Sequence, residues 1–141
     1  MTRRVASSHQ PPGAASPTIL LVDDHEELRR VLSRVLTLAG YEVLLAENGR
    51  AALAVIDERQ HPVDLIITDV RMPAMGGEEL IAALSDRHVS RHLLFMTGEG
   101  ARFGPTLAGV SVLQKPFSRE TLLQRVHQLL GSPPGQERGS A

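Results

Sequence analysis

The chain has 141 residues, a formal net charge of −1 at pH 7 and no cysteine. Its length corresponds to about one domain, so a multidomain receptor or enzyme is not expected, and the missing thiols exclude disulfides and cysteine nucleophiles. Because the sequence has no lysine-arginine run and no apolar stretch long enough to span a bilayer, we expect neither direct nucleic-acid binding nor membrane insertion.

The two ends of the chain are predicted to be flexible tails, from Met1 to Pro17 and from Ser132 to Ala141. Both are rich in Ser, Ala, Pro and Gly and poor in apolar residues. The first tail lacks the hydrophobic core of a signal peptide, which together with the absence of cysteine predicts a reducing, cytoplasmic location. Residues 18–131 then form the single predicted domain.

Five short apolar runs predict β-strands, and helical patterns separate most of them. The runs are Ile19 to Val22, Val43 to Ala46, Leu65 to Thr68, Leu93 to Met96 and Val110 to Leu113. Each run is too continuous for a sheet with one exposed face. The pattern therefore predicts an α/β domain with a parallel sheet covered by helices on both faces.

Four segments predict helices from their apolar spacing and their terminal residues. They are Glu26 to Ala39, with Leu28, Val31, Leu32, Val35 and Leu36 on one face; a segment capped by Asn48 that ends near Arg59; Gly77 to Arg87; and a segment capped by Ser118 that ends before Gly131. Several glycines punctuate the stretch from Thr97 to Val110, so at most one or two helical turns are expected there.

Polar side chains follow four of the predicted strands, where open α/β sheets bind ligands. Asp23 and Asp24 come after the first strand, Asp69 ends the third, Thr97 ends the fourth and Lys115 follows the fifth. Converging carboxylates call for a hard cation, and Mg²⁺ suits carboxylates together with water and phosphate oxygens. The pattern indicates a site for Mg²⁺ and a phosphate group.

Each of these residues also has an ordinary structural interpretation. Asp24 and Glu27 have the spacing of a capping box at the start of the first helix, and Asp69 fits a turn residue that binds its own following backbone. A lone lysine is usually a solvated charge. Lys115, however, is the only lysine beside 14 arginines, which indicates that a compact ammonium is specifically wanted there.

Other charged pairs carry weaker signals. His88 and His92 stand four residues apart, a spacing that would suit zinc on a helix, but the helix is expected to end between them. The pairs Arg29–Arg30 and Glu78–Glu79 lie on helical positions away from the apolar stripes. A solvated helix face explains both pairs.

Four motifs together resemble the receiver domains of two-component response regulators, from Ile19 to about Leu130, in the manner of single-domain chemotaxis regulators. They are LVDD, LIITDVRMPAMGG, FMTG and LQKPFS, in this order along the chain. The resemblance implies a flavodoxin-like, doubly wound, five-stranded parallel sheet with strand order 2-1-3-4-5.

The resemblance also implies a role for each matching residue. Asp69 would accept the phosphoryl group, Lys115 would contact that group and Thr97 would respond to it. The implied ligands of Mg²⁺ are Asp23, partly through water, Asp24, Asp69 and the backbone carbonyl of Arg71. The implied donor is a sensor histidine kinase or a histidine phosphotransfer protein, and the short final tail predicts that output passes through another protein.

Two departures from the family pattern concern this output. The family usually has an aromatic residue three positions before the lysine, where this chain has Val112. The segment from Thr97 to Lys115 is also about four residues, or one helical turn, shorter than usual. A shortened or irregular fourth helix is therefore expected, with switching through the loop after Thr97.

Three alternatives accompany this interpretation. The chain could be a phosphate-independent interaction module with the same fold, or a receiver detached from a hybrid histidine kinase. An enzyme resembling the haloacid dehalogenases would carry a second acid two positions after Asp69, where Arg71 stands. Arginine cannot act as that acid-base group, so we predict a signalling domain whose only chemistry is Mg²⁺-dependent autophosphorylation and autodephosphorylation.

Overall fold

Strands and helices largely alternate along the chain in the computed structural model, which describes residues 16–59, 63–70, 75–84, 92–98 and 111–131. The elements are β1 (Thr18–Val22), α1 (Glu26–Leu38), β2 (Glu42–Ala46), α2 (Gly49–Glu58), β3 (Leu65–Asp69), α3 (Gly77–Leu84), β4 (His92–Thr97), β5 (Ser111–Gln114) and α4 (Arg119–Leu130). All five strands predicted from the apolar runs are present, and none of their ends differs from the predicted residue by more than one position.

The strands form one parallel sheet in the order β2-β1-β3-β4-β5. This order confirms the flavodoxin-like topology, in which the central strands β1 and β3 are neighbours. In the register of the sheet, Val22 lies beside Thr68, and Asp69 lies beside Met96. The residues that end or follow β1, β3 and β4 therefore reach the same edge of the sheet.

Two apolar clusters cover the two faces of the sheet, as its continuous apolar strands predict. On one face, Leu36 of α1 and Val126 of α4 pack with Ile19 and Ile67. The cluster on the other face consists of Leu20, Val22, Ala46, Ala52, Ile56, Val63, Ile66, Leu80 and Leu84. Both central strands are consequently buried along their whole length.

The helix ends agree with the predicted caps except at α1. The side chain of Asn48 accepts a hydrogen bond from Ala51 N at 2.8 Å, and that of Ser118 accepts one from Thr121 N at 3.0 Å. The N-cap of α1 is His25, without a side-chain cap, so the capping box considered for Asp24 and Glu27 is not formed. The stretch before α1 is organised by other contacts, described below.

The predicted apolar face of α1 is wider than the face that the sheet covers. Leu32 and Leu36 are buried, whereas Val31 is 53% exposed and Leu38 is 75% exposed. A helix that packs on one side against a sheet buries only a stripe of about 100°. Val31 thus belongs to the predicted apolar face but lies outside the part that the sheet covers, and α1 presents apolar side chains on its outer flank.

Several predictions fall outside the described residues. They concern the two tails up to residue 15 and from residue 132, the end of the third helix after Leu84, Arg71, His88 and the shortened fourth helix between Gly98 and Ser111. His92 is described and begins β4, so it does not lie on a helix. In the part of the chain that is described, no helix has the length and apolar character that crossing a membrane requires.

Tyr41 is a polar exception within the core. Its side chain is 3% exposed, its ring meets that of His127 edge to face at 6.3 Å, and its hydroxyl has no hydrogen-bond partner among the described residues. Burial raises the pKa of Tyr41 to about 12 from an ordinary value of 10.0. The phenol is therefore held neutral in the folded protein at a pH where the unfolded chain ionises it.

We expect Tyr41→Phe to change stability mainly in alkali. At neutral pH the variant should equal or exceed the wild type in free energy of unfolding, by up to about 1 kcal/mol, because it removes a buried hydroxyl without a partner. Between pH 10 and 12 the unfolded wild type loses the Tyr41 proton first, so its stability should fall by about 2 kcal/mol relative to the variant. Denaturant unfolding of both proteins across this range measures the difference, and parallel curves would contradict it.

Candidate functional site

The edge of the sheet at the carboxyl ends of its strands brings together side chains from three separate strand ends. Lys115 Nζ lies 3.1 Å from Asp69 Oδ2 and 3.4 Å from Asp23 Oδ2. The three residues are far apart in the sequence and meet only because β1, β3 and β5 run parallel within one sheet. Thr97, at the end of β4, is 4% exposed.

Lys115 is held by its backbone as well as by its ion pairs. Its amide donates to the Thr97 carbonyl at 2.7 Å, which extends the pairing of β4 and β5 by one residue. Its side chain is only 22% exposed. This position aims one ammonium between two carboxylates instead of leaving it as a solvated charge.

Asp23 is anchored through each of its polar groups. Its amide donates to the Ala46 carbonyl at 3.1 Å, its carbonyl accepts from Arg29 Nη1 at 2.6 Å, and its carboxylate oxygen Oδ1 accepts from the His25 amide at 2.7 Å. The carboxylate is fully buried. The interpretation of Arg29 as part of a solvated face was therefore wrong, whereas its neighbour Arg30 does form an exposed ion pair with Glu26 at 3.1 Å.

Asp69 serves the backbone and the site at the same time. One carboxylate oxygen, Oδ1, accepts from the Val70 amide at 2.7 Å, which is the turn role considered from the sequence. The other oxygen, Oδ2, faces Lys115. Because the first hydrogen bond fixes the carboxylate plane, the second oxygen has a defined direction at the edge of the sheet.

The acidic groups at this edge form a cluster that could hold a cation. One ligand atom from each of Asp23, Asp24, His25 and Asp69 lies within 4.8 Å of the others. Three carboxylates beside the single ammonium of Lys115 leave an excess of negative charge when all are ionised. Oxygen donors in this number fit Mg²⁺, which takes one or two carboxylates and keeps waters in its remaining positions. The Arg71 carbonyl, also predicted as a ligand, lies outside the described residues.

Two further positions were not identified from the sequence. His25 directs Nδ1 toward the carboxylates, and its only signal was its place directly after the acidic pair. Gly49 begins α2, and its amide donates to the Met75 carbonyl at 3.0 Å. A Cβ atom at Gly49 would lie 2.7 Å from Met75 Cγ, so glycine permits close packing against the segment that follows Asp69.

An apolar groove of about 330 Å³ adjoins the site between α1 and the turn before α4. The groove begins at Lys115 and continues along Pro116 and Phe117 on one side. Val31 and Val35 of α1 line the other side. The outer flank of α1 and the site thus form one continuous surface.

Comparison with known proteins connects this geometry to a family. The family model described as response regulator receiver domain matches residues 19–127. The chain is 34% identical over 116 residues to the transcriptional regulatory protein CpxR of Klebsiella pneumoniae, covering 79% of this chain and 48% of that protein. It is 35% identical over 121 residues to the sensor kinase CckA of Brucella abortus, covering 83% of this chain and 13% of that protein.

Solved structures match over a larger share of their length. The chemotaxis protein CheY4 of Vibrio cholerae is 35% identical, with a TM-score of 0.72, and the match covers 82% of this chain and all of that one. The chain thus spans about half or less of the two curated relatives but the whole of a solved chemotaxis protein.

Proposed function

The chain belongs to the response regulator receiver domain family, and from this premise we propose that it accepts a phosphoryl group on Asp69 and signals through a phosphorylation-dependent change of conformation. The proposed donor is a phosphohistidine of a sensor histidine kinase or a histidine phosphotransfer protein. A donor phosphorylated by ATP implies a cytoplasmic location. The observation that carries the proposal is the contact of Asp69 Oδ2 with the only lysine of the chain, 3.1 Å away.

The transfer needs little covalent chemistry from the protein. An Asp69 carboxylate oxygen attacks the phosphorus atom in line with the donor nitrogen and forms an acyl phosphate. The P–N bond breaks, its electron pair stays on the donor imidazole, and that nitrogen takes up a proton. Positioning and charge neutralisation then set the rate, and the hydrogen bond from the Val70 amide orients the nucleophile.

Lys115 is proposed to shift its contacts from the two carboxylates to the phosphoryl oxygens during the transfer. Its ammonium is shared between Asp69 and Asp23 before transfer. The arriving phosphoryl oxygens offer stronger acceptors at the same place, so Nζ can stabilise the charge on the equatorial oxygens. Thr97 would gain an acceptor for its hydroxyl in the same event, which biases the backbone that follows β4.

Mg²⁺ would be held by the carboxylates of Asp23, Asp24 and Asp69, and when bound it would neutralise phosphate charge during transfer. Within the chain, Asp23 is the best prepared of these groups because its hydrogen bonds fix it before any ligand arrives. The same arrangement would support autophosphorylation by small phosphodonors and hydrolysis of the acyl phosphate.

We further propose that the phosphodonor protein docks on the apolar groove beside Lys115. Val31, which lines this groove, and Leu38 are exposed apolar side chains on the outer flank of α1. A surface that adjoins the phosphorylation site can hold the donor imidazole in line with Asp69. The downstream partner would be another protein that distinguishes the two states of the domain.

Phosphoryl incorporation measured by intact mass tests the proposed function. With a small phosphodonor and Mg²⁺, the wild type should gain the mass of one phosphoryl group, and both Asp69→Asn and excess chelator should abolish the gain. Asp57→Asn, the same substitution on the exposed surface of α2, is the matched control and should leave the gain unchanged. Equal incorporation in the wild type and in Asp69→Asn would contradict the assignment of Asp69 as the phosphoacceptor. If the wild type incorporates no phosphoryl group, the phosphate-independent interaction module is favoured.

A further inference from the structure

Two neighbouring arginines of α1 have different surroundings. Arg30 is exposed and forms an ion pair with Glu26 on the surface of the helix. Arg29 is half-buried and reaches back beyond the start of α1, where its Nη1 donates to the Asp23 carbonyl at 2.6 Å. This bond is additional to those of the helix, whose first turn is closed by the Arg29 amide on the His25 carbonyl at 2.9 Å. The guanidinium of Arg29 therefore acts on the residue that follows β1.

The Asp23 carbonyl belongs to the peptide unit that joins Asp23 to Asp24. A peptide unit is planar, and the Cα atoms of both residues lie in its plane. Fixing its oxygen therefore restrains the ψ angle of Asp23 and the φ angle of Asp24 together. These angles set the directions of the two acidic side chains relative to each other, so one hydrogen bond from Arg29 restrains both.

The contacts of the Asp23 carboxylate depend on this restraint. The carboxylate is fully buried, its Oδ1 accepts from the His25 amide at 2.7 Å, and its Oδ2 lies 3.4 Å from Lys115 Nζ. A change in the ψ angle of Asp23 would carry the His25 amide away from Oδ1. It would also move the Asp24 carboxylate away from the close grouping that it forms with Asp23 and Asp69.

The charge of Arg29 would by itself have the opposite effect on a bound cation. A guanidinium near the carboxylates repels Mg²⁺, so a purely electrostatic role predicts tighter Mg²⁺ binding when that charge is removed. Orientation acts in the other direction, because ligands that are ordered in advance lose less conformational freedom when the ion binds. The sign of the change therefore distinguishes the two roles.

We propose that Arg29 is a positioning residue for the phosphorylation site. Through the Asp23 carbonyl it fixes the relative directions of the Asp23 and Asp24 carboxylates and so raises the affinity of the site for Mg²⁺. An ionised donor suits this task, since its hydrogen bond is stronger than that of a neutral one. The inference rests on the proposed function only in taking these carboxylates as Mg²⁺ ligands.

Calorimetric titration of the full chain with Mg²⁺ tests the sign of the effect. Arg29→Gln should raise the Mg²⁺ dissociation constant about tenfold, as expected when a group that orients a metal ligand is lost. Arg29→Lys keeps the charge and a donor and should limit the rise to about threefold. Arg30→Gln removes the same charge from the adjacent exposed residue and should change the constant by less than about twofold. An unchanged or lower constant in Arg29→Gln would overturn the inference.

Amide hydrogen exchange of the metal-free protein, followed by NMR, measures the restraint itself. The His25 amide donates to Asp23 Oδ1, so it should exchange about tenfold faster in Arg29→Gln than in the wild type. The Ala51 amide, which donates to the Asn48 side chain, should keep its wild-type rate. Equal acceleration of both amides, or none at His25, would overturn the inference. The measurement needs neither Mg²⁺ nor a phosphodonor, so its result does not depend on whether the wild type is phosphorylated.

Discussion

Replacing Lys115 with arginine is expected to slow phosphoryl incorporation at Asp69 by about 100-fold, although the positive charge is kept. The ammonium lies between two carboxylates that belong to different strands, 3.1 and 3.4 Å from Nζ. A guanidinium is longer and planar, so it cannot place one nitrogen at that point in a side-chain environment that is only 22% exposed. The arginine side chain would be displaced toward the space that the incoming phosphoryl group needs.

The rate of phosphoryl incorporation from a small phosphodonor measures this effect. Arg34→Lys, the reverse exchange at an exposed position of α1, is the control and should keep the wild-type rate. Thermal unfolding must show that both variants are folded. A Lys115→Arg variant that is phosphorylated at the wild-type rate would mean that Lys115 contributes only its net charge.

The convergence of Asp23, Asp69 and Lys115 could be predicted because it follows from the parallel sheet alone. Continuous apolar runs separated by helical patterns predict parallel strands, and parallel strands bring their carboxyl ends to one edge. The polar residue that follows each run must therefore lie at that edge of the sheet. The motif resemblance supplied the strand order, which the apolar pattern does not contain.

Arg29 and Val31 show what helix periodicity leaves undetermined. Both were assigned from helix periodicity, which describes an isolated cylinder and not the neighbours that surround it. Arg29 lies on the polar side of α1, yet its long side chain reaches back to the Asp23 carbonyl. Val31 lies within the apolar stripe but beyond the edge of the surface that the sheet covers.

The contacts of His25 with Asp23 and Asp24 could not be predicted because they depend on one ring orientation. The sequence places it after two aspartates, where an N-cap or a surface residue is equally reasonable. Only the folded structure shows that His25 Nδ1 lies within 3.4 Å of the carboxylates of Asp23 and Asp24. Side-chain rotamers at an exposed turn depend on local contacts, which periodicity does not encode.

Val112 bears on how the site communicates with a partner. Its side chain is half-buried in β5, and its carbonyl accepts from Arg125 Nη1 at 2.8 Å, which ties β5 to α4. A valine has no ring to rotate inward, so the aromatic movement associated with this family position is not available to this chain. The proposed signal must pass through Thr97 and the backbone beside it, and the Thr97 carbonyl, which accepts from the Lys115 amide, links the two strands.

Asp23→Asn is expected to weaken Mg²⁺ binding by about 100-fold, with a proportionate loss of Mg²⁺-dependent phosphorylation at limiting metal. The substitution removes one negative charge from a fully buried position in the cluster. The amide oxygen can still accept from the His25 amide, so the turn before α1 should persist. The amide nitrogen would then face Lys115, which loses an acceptor and gains a donor at the same place.

Asp24→Asn is the matched comparison, because it removes the same charge from a side chain that is 31% exposed. Solvent around Asp24 screens its interaction with a cation, so this variant should weaken Mg²⁺ binding by only about tenfold. Calorimetric titration with Mg²⁺ measures both constants under one set of conditions. Equal losses would show that burial does not strengthen the contribution of Asp23, and an unchanged constant in Asp23→Asn would remove that carboxylate from the metal site.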